Sequence, residues 1–381
     1  MQIYEKSFEK RKQFLIFAVK ITQTMSYDSS PTPSTGLASP RGKVLLIYTG
    51  GTIGMGCNPR THALEPLDFN HLVDNLPEFK YLETGIDTYC FTPPVDSSDM
   101  SPQLWAELVK LISDRYDDYD GFVILHGTDT MAYTASALSF MLENLTKPVI
   151  LTGSQLPIGQ LRTDGKENLV TSIELASACH PDGRAIVPEV CIYFGGRLLR
   201  GNRSTKQSAD GFDAFATFNY PVLCHAGVNF VYHHHHILKP DYSRGMTPHT
   251  AMDTNVIVLS LFPGIQEYFL RHVLEAPELR AIVMRTFGSG NAPHSPGLMQ
   301  LLKEASLRGV TVVNISQCVS GAVEMVRYNT GLQLQDAGVV SGYDGTVESA
   351  VTKLMHLQAR YSDPELIRKY MNQSLCGEIS V

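Results

Sequence analysis

Short, uninterrupted apolar runs alternate along the chain with stretches whose apolar residues recur at helical spacing. Runs such as 44–48 and 122–125 are typical of strands that are buried on both faces. Between them, Ser101 and Pro102 form a good N-cap and first turn, and the apolar residues that follow mark one helical face through Ile112. This alternation predicts an α/β fold in which helices cover a parallel sheet.

The pattern continues in two series of elements. The first series predicts strands at 149–152 and 190–194 and helices at 130–145 and 167–180. The second series predicts strands at 256–261, 281–286 and 310–315 and helices at 296–308, 347–357 and 364–373. An irregular stretch rich in His, Pro and polar residues separates the two series. We therefore predict an N-terminal domain at 41–226, a linker at 227–254 and a C-terminal domain at 255–381.

The first forty residues differ from the rest of the chain. A basic cluster at 10–12 and an apolar stretch at 14–19 imitate a signal peptide, but Lys20 interrupts the stretch and no small-residue cleavage site follows closely. Residues 29–36 are rich in Ser, Pro and Thr and carry nothing to bury. We expect a flexible leader at 1–40 that is not part of the fold, with Met25 as an alternative start.

Composition narrows the class of function. The formal net charge of −7 comes without the clustered Lys and Arg that a nucleic-acid surface needs, and no apolar run is long enough to span a membrane. Seven cysteines without a C-x-x-C pair suggest neither a disulfide framework nor a zinc site. We expect a cytoplasmic protein that acts on a small molecule and binds neither nucleic acid nor membrane.

Two threonine-bearing turns follow the apolar runs at 44–48 and 122–125. They are residues 49–52 (Thr-Gly-Gly-Thr) and 126–130 (His-Gly-Thr-Asp-Thr). Ligands bind outside the carboxyl ends of parallel strands, and glycine lets backbone N–H groups approach a ligand closely. Either turn alone is also compatible with an ordinary capped helix start, and neither matches a nucleotide-binding pattern. A polar cluster at 96–99 and Lys206 favour a catalytic site, because a hydroxyl nucleophile needs an activating base.

Four segments, in this order, resemble the bacterial cytoplasmic type I L-asparaginases. They are residues 49–55, 96–100, 126–131 and 200–206. The resemblance extends from about Val44 to about Glu378. It implies a larger flavodoxin-like N-terminal domain, a smaller α/β C-terminal domain, and a homodimer or homotetramer. It also implies hydrolysis of the linear amide L-asparagine to L-aspartate and ammonia, without a metal or cofactor.

The resemblance also assigns roles to individual residues. Thr52 would be the nucleophile that forms an acyl-enzyme. Thr128, Asp129 and Lys206 would form the group that moves protons to and from the attacking hydroxyl or water. Asp96, Ser97 and Ser98 would hold the α-amino and α-carboxylate ends of the substrate. Thr128 and Asp129 would also contribute to substrate binding.

Some relatives bind asparagine at a separate regulatory site between subunits. The matching positions in this chain are Arg285, Ser316, Gln317 and Cys318, with Thr205 nearby. We therefore expect cooperative activation by asparagine.

Three groups of histidines need separate interpretations. His62 stands near the position of a tyrosine that orients the nucleophile in some relatives, and it either replaces that tyrosine as a hydrogen-bond partner or faces solvent. The run at 233–236 is more simply part of a polar linker than a preorganised metal site. We expect His126 to be buried and hydrogen-bonded rather than to act as the base.

Two other functions remain open. One is the amide-hydrolysing subunit of a tRNA-dependent amidotransferase, which would need an additional nucleic-acid domain and a basic face. The other is a non-catalytic amino-acid sensor, which would have no need for Thr52, Thr128, Asp129 and Lys206 together.

Overall fold

The computed structural model describes residues 42–57, 64–66 and 76–381. The predictions for the leader, Met25 and His62 lie outside these residues. The strands of the N-terminal part are, in chain order, β1 (Lys43–Tyr48), β2 (Met55–Cys57), β3 (Leu64–Pro66), β4 (Gly85–Cys90), β5 (Gly121–Leu125), β6 (Leu142–Glu143), β7 (Val149–Thr152), β8 (Val190–Phe194), β9 (Arg197–Arg200), β10 (Thr205–Lys206), β11 (Phe215–Ala216), β12 (Cys224–Ala226), β13 (Phe230–Tyr232) and β14 (Thr247–Pro248).

Eight of these strands form one large sheet in the order β13-β12-β9-β8-β7-β5-β1-β4. Five neighbouring strands pair in parallel, in the order β4, β1, β5, β7 and β8. Strands β9, β12 and β13 extend the sheet beyond β8 through antiparallel pairs. The central runs β5, β7 and β8 are buried along their whole length, as their continuous apolar sequences predict.

Helices cover both faces of this sheet: α1 (Pro102–Asp114), α2 (Met131–Met141) and α3 (Gly165–Ser177). The Ser101 hydroxyl accepts the first-turn amide of Leu104, so helix α1 begins at the predicted cap. Helices α1 and α2 share one hydrophobic core, and α3 packs into the core on the opposite face. Side chains are buried around most of helix α2, because the helix also packs against the C-terminal part of the chain.

The C-terminal part contains a smaller, all-parallel sheet in the order β15 (Val256–Ser260), β16 (Ala281–Thr286), β17 (Thr311–Ser316) and β18 (Val340–Ser341). Its helices are α4 (Glu267–Leu274), α5 (Pro296–Leu307), α6 (Asn329–Asp336), α7 (Val347–Arg360) and α8 (Pro364–Met371). One hydrophobic core includes α4, α5 and α6, and a second includes α7 and α8. The predicted fold class, a larger parallel-sheet domain followed by a smaller α/β domain, is confirmed.

Two of the differences from the predicted boundaries have a clear structural cause. Helix α2 ends at Met141 rather than at residue 145, because Leu142 and Glu143 pair with β14 and Asn144 adopts a positive φ of 59°. Strand β13 lies within the stretch at 227–254 that we assigned to a linker, and it pairs with β12 at the edge of the large sheet. The N-terminal sheet therefore uses residues beyond 226.

Candidate active site

Strand order fixes where the two threonine-bearing turns meet. The chain leaves β1 toward β4 at one edge of the sheet, then returns to β5 and continues in the other direction to β7 and β8. Adjacent strands β1 and β5 therefore form the topological switch point, where α/β sheets leave a crevice for ligands. The turn at 49–52 follows β1 and the turn at 126–130 follows β5, so both lie at this crevice.

Backbone hydrogen bonds join the turns. The Thr49 amide and hydroxyl both donate to the Leu125 carbonyl, at 3.0 and 2.9 Å. The Val95 amide donates to the Thr49 carbonyl at 2.7 Å, and the Thr130 hydroxyl donates to the Ser97 carbonyl at 2.6 Å. The polar cluster at 96–99 is thereby attached to both threonine-bearing turns.

Glycine is required where the two turns touch. Gly51 has a φ of 90°, and a Cβ at this position would lie 2.5 Å from the backbone nitrogen of Gly127. A Cβ on Gly127 would lie 2.5 Å from the Ser97 hydroxyl. A side chain at Gly51 would push the two threonine turns apart, and one at Gly127 would collide with Ser97 of the polar cluster. The residues that follow these two glycines are Thr52 and Thr128.

Lys206 reaches the second turn from a separate two-stranded sheet, β10-β11. Its ammonium group donates to the Thr128 hydroxyl at 2.9 Å and to the Asp129 carboxylate at 2.6 Å. Lys206 lies on the short strand β10, where it pairs with Phe215 of β11. The lysine side chain is 18% exposed and the aspartate side chain 63% exposed, so the carboxylate remains accessible to a ligand.

Thr52 is held differently from Thr128. It is the first residue of a 3-10 turn, Thr52–Gly54, and is partly buried. Within residues 42–57, 64–66 and 76–381, no hydrogen bond engages its hydroxyl. Asp96 caps the neighbouring 3-10 turn by accepting from the Ser98 amide at 2.8 Å, and both side chains are exposed, whereas Ser97 is buried.

Comparison with known proteins identifies the family. The family model for the N-terminal asparaginase domain matches residues 43–238, and that for the glutaminase/asparaginase C-terminal domain matches residues 255–371. The chain belongs to the asparaginase family. It is 46% identical over 341 residues to L-asparaginase 1 of Escherichia coli K12, an alignment that covers 88% of this chain and 98% of that protein.

Two further comparisons agree with this assignment. The crystal structure of L-asparaginase I from Vibrio cholerae superposes with a TM-score of 0.81 and 42% identity, covering 90% of this chain and all of that one. The 60 kDa lysophospholipase of Mus musculus is 38% identical over 343 residues, which cover 84% of this chain but only 59% of that protein. The asparaginase domains are thus the part that the two share.

A buried hydrogen-bond chain supports the second turn of this asparaginase-family enzyme. His126 is fully buried, and one ring nitrogen lies 2.6 Å from the Gly127 carbonyl while the other lies 2.9 Å from the Thr134 hydroxyl. The Trp105 indole N–H donates to that hydroxyl at 3.0 Å. Burial lowers the pKa of His126 from 6.5 to about 4, so the ring is neutral at pH 7. Its Nδ1–H donates to Gly127, which confirms the prediction that His126 is a buried, hydrogen-bonded histidine.

The predicted regulatory positions lie together around a cavity of about 90 Å³. Ser316 ends β17 and Gln317 follows it. The side-chain amide of Gln317 donates to the carbonyls of Leu261 and Arg285 at 2.6 and 2.9 Å. Cys318 is exposed, and Nε of Arg285 is buried without a partner among the residues that the structure describes. The side chains that line the cavity include all five named in the sequence: Thr205, Arg285, Ser316, Gln317 and Cys318.

Sequence reasoning missed Glu348, which also lines this cavity. Its carboxylate accepts from the Thr205 hydroxyl at 2.6 Å. Burial raises the pKa of this carboxyl group. Thr205 immediately precedes Lys206, so the cavity and the second threonine turn are joined through two consecutive residues. No motif marks Glu348, which lies 143 residues away in the chain.

In the described part of the chain, no three or more His, Cys, Asp or Glu side chains are grouped so that they could hold a metal ion. None of the helices described is both long and apolar enough to cross a membrane.

Proposed function

We propose that this enzyme hydrolyses L-asparagine to L-aspartate and ammonia through an acyl-enzyme on Thr52. One observation carries the proposal: Lys206 engages both Thr128 and Asp129 in a turn that touches the turn of Thr52. Among the described residues the Thr52 hydroxyl has no hydrogen-bond partner, and its turn touches the turn that carries this proton-transfer group. Nucleophilic catalysis by a weak nucleophile requires such a group nearby.

The proposed reaction has two steps. The Thr52 oxygen attacks the side-chain carbonyl carbon of asparagine, its proton passes to the amide nitrogen, and the C–N bond breaks to release ammonia. Thr128, with Lys206 and Asp129, then removes a proton from water, which attacks the ester and restores the Thr52 hydroxyl. Backbone N–H groups of the glycine turns would stabilise the oxyanion that forms in each step.

Substrate recognition in this proposal depends on the polar groups of the second threonine turn and of the cluster at 96–99. A free amino acid carries an ammonium and a carboxylate, so it needs both an acidic partner and hydrogen-bond donors. Asp129 and Asp96 offer carboxylates, while Ser97, Ser98 and Thr128 offer hydroxyl or backbone donors. Glutamine is longer by one methylene, which changes binding by only about 1–3 kcal/mol, so we expect some glutaminase activity.

The proposal extends to compartment and assembly. Cys179, Cys191, Cys224, Cys318 and Cys376 are free thiols, which agrees with a reducing compartment, and we propose a cytoplasmic location. We also propose a homodimer or homotetramer, in line with the family resemblance.

Ammonia release from L-asparagine and L-glutamine tests the reaction directly. Wild type should release ammonia from asparagine, and Thr52→Ala should lose on the order of 10⁴-fold in kcat or more, because the nucleophile is gone. Thr254→Ala, which changes an exposed threonine between the two sheets, is the matched control and should behave as wild type. Asparagine binding without any turnover by wild type would instead favour a sensor, and turnover only with a charged tRNA would favour the amidotransferase subunit.

We further propose that asparagine activates the enzyme by binding at the cavity that contains Arg285. The Arg285 guanidinium, whose Nε has no hydrogen-bond partner among the described residues, would receive the α-carboxylate, and Glu348 the α-ammonium. Binding would alter the Thr205–Glu348 hydrogen bond and so the adjacent Lys206.

A rate curve against asparagine concentration tests this activation. Wild type should give a sigmoidal curve, and Arg285→Ala should raise the concentration needed for half-maximal rate by roughly 5-fold to 150-fold, the usual range of allosteric coupling. Arg327→Ala, which changes an exposed arginine of the C-terminal domain, is the control. A hyperbolic wild-type curve that Arg285→Ala leaves unchanged would exclude this regulation.

A further inference from the structure

The segment that carries Lys206 is attached to the far end of the chain. The 3-10 turn Gly201–Arg203 follows β9 and leads into β10, and its three residues are buried. The Asn202 amide donates to the Cys376 carbonyl at 3.1 Å, and Nε of Arg203 donates to the Gly377 carbonyl at 2.8 Å. Arg203 also donates to the Ser380 hydroxyl at 2.9 Å. We call residues 375–380 the C-terminal clamp.

The clamp is itself rigidly built. The Glu378 carboxylate is 1% exposed and forms an ion pair of 2.5 Å with Lys353, which is equally buried. The same carboxylate accepts from the backbone amides of Leu375 and Cys376. Asp344 accepts from the Ser380 amide at 2.8 Å and forms an ion pair with Arg203 at 2.9 Å. A buried ion pair whose remaining oxygens are hydrogen-bonded holds its segment in one geometry.

Arg200 locks the other side of the same turn. Its guanidinium is 3% exposed, pairs with Glu189 at 2.6 Å and donates to the Gly377 carbonyl at 3.3 Å. The Ser204 hydroxyl donates to the Arg200 carbonyl at 2.7 Å and closes the turn. Three of the four residues at 200–203 are therefore fixed by side-chain contacts, and only two residues separate Arg203 from Lys206.

We propose that the C-terminal clamp is a positioning element for Lys206. The clamp acts through its contacts with Asn202, Arg203 and Arg200. These contacts fix the position of the Lys206 ammonium relative to Thr128 and Asp129. The family model for the C-terminal domain ends at residue 371, so the clamp lies beyond the part of the chain that it matches. A displacement of about 1 Å at a reacting group can cost about 10²-fold in rate. The inference rests on the proposed role of Lys206.

Gly377 offers a substitution with a matched control. Its φ is +81°, and a Cβ would lie 2.3 Å from a terminal nitrogen of Arg200, a group that Glu189 prevents from moving aside. Gly183 has a φ of +82°, and a Cβ there meets nothing within 4 Å. Gly377→Ala and Gly183→Ala therefore carry the same backbone strain, but only Gly377→Ala displaces the arginine that touches the clamp.

Steady-state kinetics of the two variants test the proposal. Gly377→Ala should lower kcat about 10-fold or more, change KM less than about twofold, and alter the pH profile of kcat, whereas Gly183→Ala should match wild type in all three. Ser380→Ala removes one exposed hydroxyl contact without threatening the fold, and it should lower kcat by a few-fold. If Gly377→Ala does not fold, Ser380→Ala decides by the same criteria. Wild-type kcat and pH profile in the folded variants would overturn the proposal.

A second readout does not depend on the reaction. Brief acetylation followed by peptide mass spectrometry gives the labelling rate of Lys206 relative to Lys303, which is exposed on helix α5. The ratio should rise at least about threefold in Gly377→Ala, because the ammonium leaves Asp129. An unchanged ratio would refute the positioning role. If wild type hydrolyses no amide, the proposed function fails, and this ratio still decides whether the clamp positions Lys206.

Discussion

Buried hydrogen bonds link the turn at 126–130 to Thr134 and Trp105 through the ring of His126. The Thr128 hydroxyl in the same turn accepts a hydrogen bond from Lys206. The turn at 49–52 also places a threonine directly after a glycine, but in the described part of the chain no hydrogen bond holds the Thr52 hydroxyl. A restrained hydroxyl in a charged network suits proton transfer, and an unengaged hydroxyl suits attack on a carbonyl carbon. The difference assigns different tasks to two threonines that the sequence presents alike.

Removing the positive charge of Lys206, which contacts only the second turn, should give the largest loss of kcat among the following three changes. Lys206→Met keeps the length of the side chain but leaves Thr128 without a partner for its proton. We expect kcat for asparagine to fall about 10²-fold to 10⁴-fold, with a smaller change in KM. Lys303→Met, at an exposed lysine on helix α5, should keep the wild-type kcat. Equal kcat values for the two variants would show that Lys206 takes no part in the chemistry.

Separating the two turns should have the next largest effect. The Cβ of Gly51→Ala would collide with the backbone of Gly127, which moves Thr52 relative to Thr128. We expect kcat to fall about 10²-fold. Gly264→Ala is matched in backbone strain, since its φ of +92° is close to the +90° of Gly51 and a Cβ there meets nothing within 4 Å. If both variants lost the same activity, the contact between the turns would be irrelevant to catalysis.

The smallest effect concerns His126, whose ring is hydrogen-bonded within the second turn. It changes the free energy of unfolding rather than the rate of catalysis. The pKa of His126 is about 4 in the folded protein against an ordinary 6.5, so the unfolded chain binds one more proton between these pH values. Stability from this group is therefore lost as pH falls below about 6.5, by about 2 kcal/mol at pH 5.

His126→Gln should remove that part of the pH dependence. Urea unfolding at pH 7 and pH 5 measures it, and wild type should lose about 2 kcal/mol more than the variant between the two pH values. His356, whose pKa burial lowers to about 3, is present in both proteins and cancels in the difference. Parallel losses in wild type and variant would mean that His126 is not held neutral.

The sequence predicted the strands of both sheets well where apolar runs are continuous, because burial on both faces leaves a strong signal. It also predicted the two threonine turns, since these follow strands directly, whereas residues 91–95 separate the cluster at 96–99 from β4. The helix boundary at Met141 was missed because it depends on pairing with β14, about 100 residues further along the chain. The eight-residue helices α4 and α6 were missed because neither has the N-terminal Pro and side-chain cap that mark the start of the equally short α8.

The segment at 200–206 shows what a motif does not reveal. Sequence resemblance treated it as one catalytic signal, but only Lys206 reaches Thr128. Arg200, Asn202 and Arg203 instead bind the C-terminal clamp, up to 177 residues away. Glu348 was missed for the same reason, because its role depends on burial beside Thr205 and Arg285 rather than on any local pattern.

Covalent trapping distinguishes the two threonines most directly. Thr128→Val should slow hydrolysis of the ester more than its formation, so acid-quenched enzyme in turnover with L-asparagine should carry an aspartyl group on the peptide that contains Thr52. Thr52→Val, treated identically, should carry none. An aspartyl group on the Thr128 peptide of Thr52→Val, with an unmodified Thr52 peptide in Thr128→Val, would reverse the two assignments.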